Sequence, residues 1–336
     1  MSIGKTNVWL NHWFSEAYHI VNLIKSDGGF RVFGTNDHAN CVYRAVCDAF
    51  ETEPVLKNNQ YVDFCLDFCK KHDIEIFVPR RGAVQAAERA GEFRLAGVKV
   101  LVEESEKMKT LSDKERTYMA ANAGACRVPD RAVVCTAAEF ESAYRRLKTQ
   151  SNRVCFKFVK DEGATSFRVV DTGAETEIRS LKSPPGRKMT FDDAMKILSA
   201  SEPFPDLMVM PYLDGPEVSV DCLRTDDGSI IIPRFKTPGR AEEIRFDDDI
   251  LSVCEGLLAL FDLRRPCNMQ FRYHDGVLCL LEINPRMSGG VQYSCAATGV
   301  NIPGIAVHGL MGQRREWRMP KENRVVSFVA MPVVLS

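Results

Sequence analysis

Glu282, Asn284 and Arg286 stand at alternate positions in "LCLLEINPRMSGG" (278–290), directly after the apolar run Leu278–Leu281. On an extended strand an acid, an amide and a guanidinium so spaced share one face. Gln270 lies on the preceding strand of the same hairpin, across the "HDG" turn (274–276). Carboxylate and amide oxygens are hard donors. Such a cluster suits Mg²⁺, which takes one or two protein carboxylates and completes its shell with water and phosphate. Arg286 would then face the same phosphate. The competing reading is a hairpin end whose polar side chains are simply solvated.

Two lysines upstream weigh against that plainer reading. In "LSDKERTYMAANAGACRVP" (111–129), Ser112 or Asp113 is a helix cap, Lys114 falls in the first turn, and Gly124 and Pro129 close the element. A lysine there opposes the helix dipole and makes better sense reaching an anion. Lys157 interrupts an apolar strand in "RVCFKFVKDEGATSFRVVD" (153–171), where an unpaired buried ammonium would be costly; it needs a buried partner or a bound anion. The turn from Asp161 to Ser166 can present backbone N–H groups to phosphate oxygens, although many glycine-containing hairpins do so for no ligand.

The elements that must position these residues form two kinds of pattern. Residues 6–105 alternate strands ("NVWL", "FRVFGTN", "IEIFVPRRG", "GVKVLVEES") with helical periodicity ("SEAYHIVNLIKSDG", "YVDFCLDFCKKHD"), which predicts a parallel, doubly wound α/β unit. Its first turn, "LNHWFSEA", has no glycine, so it is not a dinucleotide site. Ligand residues would sit at strand ends, in "NHWF", "TND" and "PRRG", where Arg80 and Arg81 could hold a substrate carboxylate or be solvated as a surface pair. Further on, "LKSPPGRK" (181–188) reads as a lid or a plain surface insertion, followed by one helix capped near Thr190. Then "LMVMPYLDGPEVSVDCL", "SIIIPRFKTPGR" and "NMQFRYHDGVLCLLEINPR" supply an antiparallel sheet turning at "TDDGS" and "HDG", with a long helix in "DDDILSVCEGLLALFDL".

At 336 residues and 45% apolar content the chain can bury two or three cores, and its formal net charge of -1 supplies no field for nucleic acid or an anionic membrane. The start, "MSIGKTNVWLNHWF", lacks a secretory signal, and no run reaches the roughly 18 apolar residues of a membrane span, so a cytoplasmic location is expected. The twelve cysteines form no CxxC pair and read as reduced thiols, many of them buried, rather than a disulfide framework or zinc site.

The hairpin ending in "EINPR" and preceded by "NMQF", together with "SDK" and "FKF", resembles the ATP-grasp enzymes of the carbamoyl-phosphate-synthase-like and biotin-carboxylase-like branch. The resemblance implies an α/β and α+β architecture. A Rossmann-like pre-ATP-grasp domain (1–108) would precede an ATP-grasp fold of two α+β subdomains, the small one over 109–208 and the large one over 209–336. It implies ATP and Mg²⁺, with Mn²⁺ as an alternative ion. By motif, Lys114 and Lys157 resemble the lysines that contact ATP phosphates. Glu162, Gly163, Ala164, Thr165 and Ser166 resemble the phosphate loop, with fewer glycines than the family usually holds. In "MVMPYLDGPE", Met210 and Leu213 would offer main-chain groups to adenine and Glu217 would bind the ribose hydroxyls. Gln270, Glu282 and Asn284 resemble the metal ligands, and Arg286 the arginine beside the γ-phosphate.

The same resemblance implies a carboxylate–amine ligase acting on an amino acid or peptide-like small molecule through an acyl phosphate, with release of ADP and phosphate. Arg234, Lys236 and Arg240, in "PRFKTPGR", would bind the anionic substrate or the acyl phosphate, or else mark a charged surface strand. The two glycines of "MSGG" would let the backbone approach a ligand closely. Expected partners are the small-molecule carboxylate and amine, with no nucleic acid and no membrane; a homodimer is a family-level expectation. The alternatives are a bicarbonate-activating carboxylase or carbamoyl-phosphate-type enzyme, and a non-catalytic ATP-binding regulator.

Overall fold

The computed structural model describes residues 4–56, 58–122, 126–161, 165–170, 187–239, 241–320 and 322–335. Gly124, Glu162, Gly163, Ala164, Arg240 and most of the 181–188 insertion lie outside these. The chain divides into two compact units. The first comprises Met1–Leu111, Glu217–Gln270 and Glu282–Ser336; the second comprises Ser112–Pro216 and Phe271–Leu281.

The first unit opens with the predicted parallel sheet, built from β1 (Thr6–Asn11), β2 (Phe30–Asn36), β3 (Ala49–Thr52), β4 (Ile76–Pro79) and β5 (Lys99–Val100) in the order β3-β2-β1-β4-β5. Alternation along β1 sends Val8 and Leu10 into one core and Trp9 into another on the opposite face. Trp9 stacks on Phe77 and Phe68 at 4.2 and 4.4 Å between centroids, and its indole N–H donates to Thr35 Oγ1 at 2.9 Å. The predicted strand in "GVKVLVEES" shrinks to two residues. Leu101 N–H still reaches Phe77 O, after which Glu103 turns away to accept the Arg264 and Arg265 N–H groups at 2.6 Å each.

The second unit contains an antiparallel sheet closed by one parallel edge. Its strands are β6 (Ala132–Val134), β7 (Val154–Phe158), β8 (Arg168–Val170), β9 (Lys188–Met189) and β10 (Leu207–Pro211), in the order β6-β10-β7-β8-β9. The helix Ala137–Lys148 begins in a complete capping box between Thr136 and Glu139 and buries Phe140 and Leu147 against Val154 and Val209.

The remaining strands are β11 (Glu217–Thr225), β12 (Gly228–Lys236), β13 (Glu242–Ile244), β14 (Cys267–His274), β15 (Val277–Asn284) and β16 (Arg324–Val326). They form one sheet, ordered β15-β14-β11-β12-β13-β16. Both predicted turns are present. Thr225 pairs with Gly228, and Asp275 and Gly276 close β14 on β15 with φ of 50° and 75°, the two left-handed residues of a type I′ hairpin. One expectation is corrected: "LMVMPYLDGPEVSVDCL" does not enter a single sheet. Its first half, β10, pairs with β6 and β7, whereas its second half, β11, pairs with β12; Gly215 and Pro216 interrupt the ladder between them.

All twelve cysteines are unpaired thiols, eight of them buried. No helix among the described residues is long and apolar enough to cross a membrane.

Candidate active site

In the second unit, Asp113 rather than Ser112 caps the helix Lys114–Ala121, accepting the Arg116 N–H at 3.0 Å, and Lys114 is its first residue. Lys114 is buried and its ammonium donates to the carbonyl of Asp161, where the predicted phosphate turn begins. The Asp161 carboxylate in turn folds that turn around itself, accepting Thr165 Oγ1 at 2.6 Å and Ser166 N–H at 2.8 Å. Ser166 Oγ receives the Phe158 N–H at 2.9 Å, which fastens the turn to β7.

Lys157 is buried on β7, as its apolar flanks implied, and it has a local partner: its ammonium donates to Leu281 O at 3.2 Å and lies 5.8 Å from the Tyr118 ring centroid. Tyr118 Oη donates to the same carbonyl at 2.8 Å. Two donors therefore fix the peptide that immediately precedes Glu282 in the chain. Tyr118 was not singled out in the sequence; its position four residues after Lys114 on a helix was the available signal.

The predicted adenine segment leaves β10 through Met210 and Leu213, both buried. Tyr212 N–H donates to Arg153 O at 2.9 Å, and the guanidinium carbons of Arg153 and Arg272 are 4.3 and 5.1 Å from the Tyr212 ring centroid. A Cβ on Gly215 would lie 2.6 Å from the Tyr273 carbonyl oxygen, a backbone atom that accepts the Gly215 N–H. Gly215→Ala must therefore push the 215 main chain away from that of β14. It is expected to destabilise the second unit by about 1–3 kcal/mol, read as a lower urea midpoint; an unchanged midpoint would show that this segment yields easily.

In the first unit, Glu282 and Asn284 share a face of β15, and Asn284 Nδ2 donates to Glu282 Oε1 at 3.0 Å. Arg286 follows with its guanidinium carbon 5.7 Å from the Phe14 ring centroid and a hydrogen bond to Met287 O at 3.1 Å. On the neighbouring strand β14, Gln270 Nε2 donates to Asn268 Oδ1 at 3.2 Å, which leaves the Gln270 amide oxygen available as an acceptor. Among the described residues no group of three or more His, Cys, Asp or Glu could hold a metal. One carboxylate with two amide oxygens is still a donor set that fits Mg²⁺, which relies on substrate phosphate and water for the rest of its shell.

The predicted cations of β12 lie on one face but in different settings. Lys236 pairs with Glu217, the predicted ribose acid, so those two residues form one charged unit. Arg234 is only 3% exposed. Its guanidinium donates to Asp221 Oδ2 at 3.0 Å, to Glu242, to Ser219 Oγ at 3.2 Å and to Ser288 Oγ at 3.1 Å. Burial pulls its pKa down, and the Asp221 and Glu242 carboxylates more than offset this, so it stays charged. The close approach expected at "MSGG" is made by this guanidinium: a Cβ on Gly290 would lie 2.5 Å from Arg234 Nη1. Arg81, expected at a strand end, donates to Leu56 O at 2.9 Å and stacks over Tyr61 at 4.6 Å.

Asp221 was missed, although it interrupts "VSVDCL" just as Lys157 interrupts "FKF" and the same burial argument applies. It accepts from Arg234, Asn268 (3.0 Å), Ser288 (2.7 Å) and Ser294 (2.6 Å). Through Asn268 the network reaches Gln270, and through Ser288 it reaches the loop after Arg286.

Residues 203–331, which include β11 to β16, match the family model described as "ATP-grasp in the biosynthetic pathway with Ter operon". That segment of the chain is similar to ATP-grasp proteins. A stretch of 138 residues is 25% identical to the carbamoyl phosphate synthase large chain of Thermoanaerobacter sp. (strain X514), covering 36% of this chain and 13% of that one. The chain thus spans a small part of the length of the curated relatives it matches. Among solved structures, the biotin carboxylase domain of Hydrogenobacter thermophilus 2-oxoglutarate carboxylase, in complex with MgADP, ADP and bicarbonate, superimposes with a TM-score of 0.69 at 15% identity. That match covers 94% of this chain and 71% of the other. The L-amino acid ligase of Bacillus licheniformis gives 0.65 at 13% identity, over 91% and 74%. At these identities the likeness concerns the fold: a Rossmann-like sheet followed by the α+β sheets of ATP-grasp proteins.

Proposed function

We propose that the protein is an ATP-dependent, ADP-forming ligase that joins the carboxylate of a small amino acid or peptide-like molecule to an amine. The observation that carries this reading is the hydrogen-bonded Glu282–Asn284 pair at the end of β15, followed by Arg286, within the stretch 203–331 that matches an ATP-grasp family model. The buried lysines Lys114 and Lys157 support it: one ammonium sits at the start of the phosphate turn, the other at the peptide that leads into Glu282, and both bring positive charge to segments suited to an anion.

In this reading Lys114, Lys157 and the segment Glu162–Ser166 receive the phosphates. The main chain at Met210 and Leu213 receives adenine, and Glu217, oriented by Lys236, receives the ribose hydroxyls. Gln270, Glu282 and Asn284 would hold Mg²⁺, with Mn²⁺ as the alternative ion; the bound cation neutralises charge on the transferring phosphoryl group. Arg286 faces that group. The acceptor carboxylate oxygen bonds to the γ-phosphorus as the bond to the ADP oxygen breaks. The amine then attacks the acyl carbon, phosphate departs, and the amine proton goes to solvent. Aligning donor and acceptor and stabilising charge suffice for this sequence, and no protein nucleophile is required. Arg234 is a positioning residue that holds the 288–290 loop. The three-part division at 108 and 208 belongs to the same reading.

The test is ADP and phosphate release from Mg·ATP by the purified chain, against pools of amino acids, dipeptides and bicarbonate. Release that requires an amino acid or dipeptide pool is expected. Stimulation by bicarbonate alone would overturn the reading in favour of carboxylation chemistry, and tight Mg·ATP binding without turnover in any pool would favour a regulator.

A further inference from the structure

The first unit holds a cavity of about 240 Å³ remote from Glu217. It is bounded by the turn after β11, the segment before β14 and the end of the helix Ile302–Leu310. Thr225, in its wall, is eight residues along β11 from Glu217, about 26 Å at the rise of a strand. Five arginines converge on the cavity: Arg224, Arg264, Arg265, Arg314 and Arg315.

Nearby carboxylates offset them only in part. Asp227 takes Arg314, with Nε to Oδ2 at 2.7 Å. Asp262 accepts from Arg264 at 3.0 Å and from Lys107 at 3.0 Å, and stands 3.9 Å from Arg224. Asp226 is the other acid of the lining. Among the described residues, neither Arg265 nor Arg315 has a carboxylate within 4.0 Å. Arg265 is anchored by its main chain, whose N–H donates to the buried Glu103 carboxylate; that carboxylate feels the Arg265 charge, but among the described residues the guanidinium makes no hydrogen bond. Arg315 donates to His308 Nε2 at 2.9 Å, and the other ring nitrogen of His308 reaches Gln313 Oε1 at 2.7 Å. Asp27 Oδ2 lies 3.7 Å from the same Nε2. His308 is 4% exposed, so Arg315 is held in place by a buried side chain.

Converging guanidiniums repel one another unless an anion lies between them, and their planar forks match phosphate oxygens. Leu223 and Pro266 give the cavity an apolar wall. Its volume is below the about 300–1,000 Å³ of sites for drug-sized ligands, which favours a molecule smaller than a nucleotide. We propose that this cavity binds a small phosphomonoester, its dianion held between Arg265 and Arg315 and its compact body against Leu223 and Pro266.

Isothermal titration of the full chain with glycerol 3-phosphate, with glycerol as the uncharged comparator, tests this. Saturable one-site binding of the phosphomonoester alone is expected. Arg265→Gln and Arg315→Gln should each weaken it at least about tenfold, the value of a lost charge-assisted hydrogen bond. Lys157→Met should leave it unchanged. Because the Arg265 guanidinium makes no hydrogen bond among the described residues, its replacement is expected to leave the fold intact even if that of Arg315 does not. Equal affinity in Arg265→Gln, no saturable binding, or loss of binding in Lys157→Met would each overturn the proposal, the last by assigning the probe to the lysines.

Discussion

Glu282→Ala will lower kcat for ADP formation by at least about a hundredfold while leaving the unfolding midpoint close to that of the parent chain. The expectation rests on the place of Glu282 in the hairpin. It is half-buried at the end of β15 and receives Asn284 Nδ2 at 3.0 Å. As the one carboxylate of the proposed donor set, it supplies the negative charge that draws a divalent cation to Gln270 and Asn284. Glu282→Gln keeps the shape and one carbonyl oxygen but removes the charge. It should fall between the two and recover part of its activity as Mg²⁺ is raised, because a weakened site is filled by mass action. Lys157→Met should also lose turnover, but no Mg²⁺ concentration should rescue it. Turnover in Glu282→Ala within a few-fold of the parent would remove the metal assignment and leave Glu282 as a hairpin-end acid.

The parts legible in the sequence were those governed by local rules. The cap at Asp113, the strand–turn–strand around Asp161 and the I′ turn at Asp275 and Gly276 each rest on a few adjacent residues. So did the burial of Lys157, since an ammonium flanked by Phe156 and Phe158 has few other places to go. The partner of a strand is different. β10 and β11 are both apolar, and nothing in "LMVMP" distinguishes pairing with β7 from pairing with β11, because sheet membership is decided by packing between distant segments. Only Gly215 and Pro216 hinted at the break. For the same reason the setting of Arg234 was not readable: alternation along β12 gives its face, but its burial depends on Asp221, Glu242, Ser219 and Ser288, drawn from three other segments.

Asp221→Ala should destabilise the first unit by about 3–5 kcal/mol, the range for breaking a buried ion pair by removing one partner. Asp221 is 2% exposed and accepts four hydrogen bonds, from Arg234, Asn268, Ser288 and Ser294. Alanine leaves a buried guanidinium with Glu242 as its remaining carboxylate and strips Asn268, Ser288 and Ser294 of an acceptor at once. Asp221→Asn retains one oxygen acceptor and should cost less. The informative comparison is the double variant Asp221→Leu with Arg234→Met, which removes both charges and restores apolar volume. It should be more stable than Asp221→Ala, because no uncompensated guanidinium remains. Its activity separates the roles of the network. If Asp221 and Arg234 only stabilise the sheet, the double variant will turn over like the parent. If they also position Gln270 through Asn268 and the loop after Arg286 through Ser288, the variant will fold and show reduced kcat together with a higher Mg²⁺ requirement, and the second outcome is the one expected. A urea midpoint for Asp221→Ala within about 1 kcal/mol of the parent would show instead that the site relaxes or takes up water, and that the network does not hold the sheet.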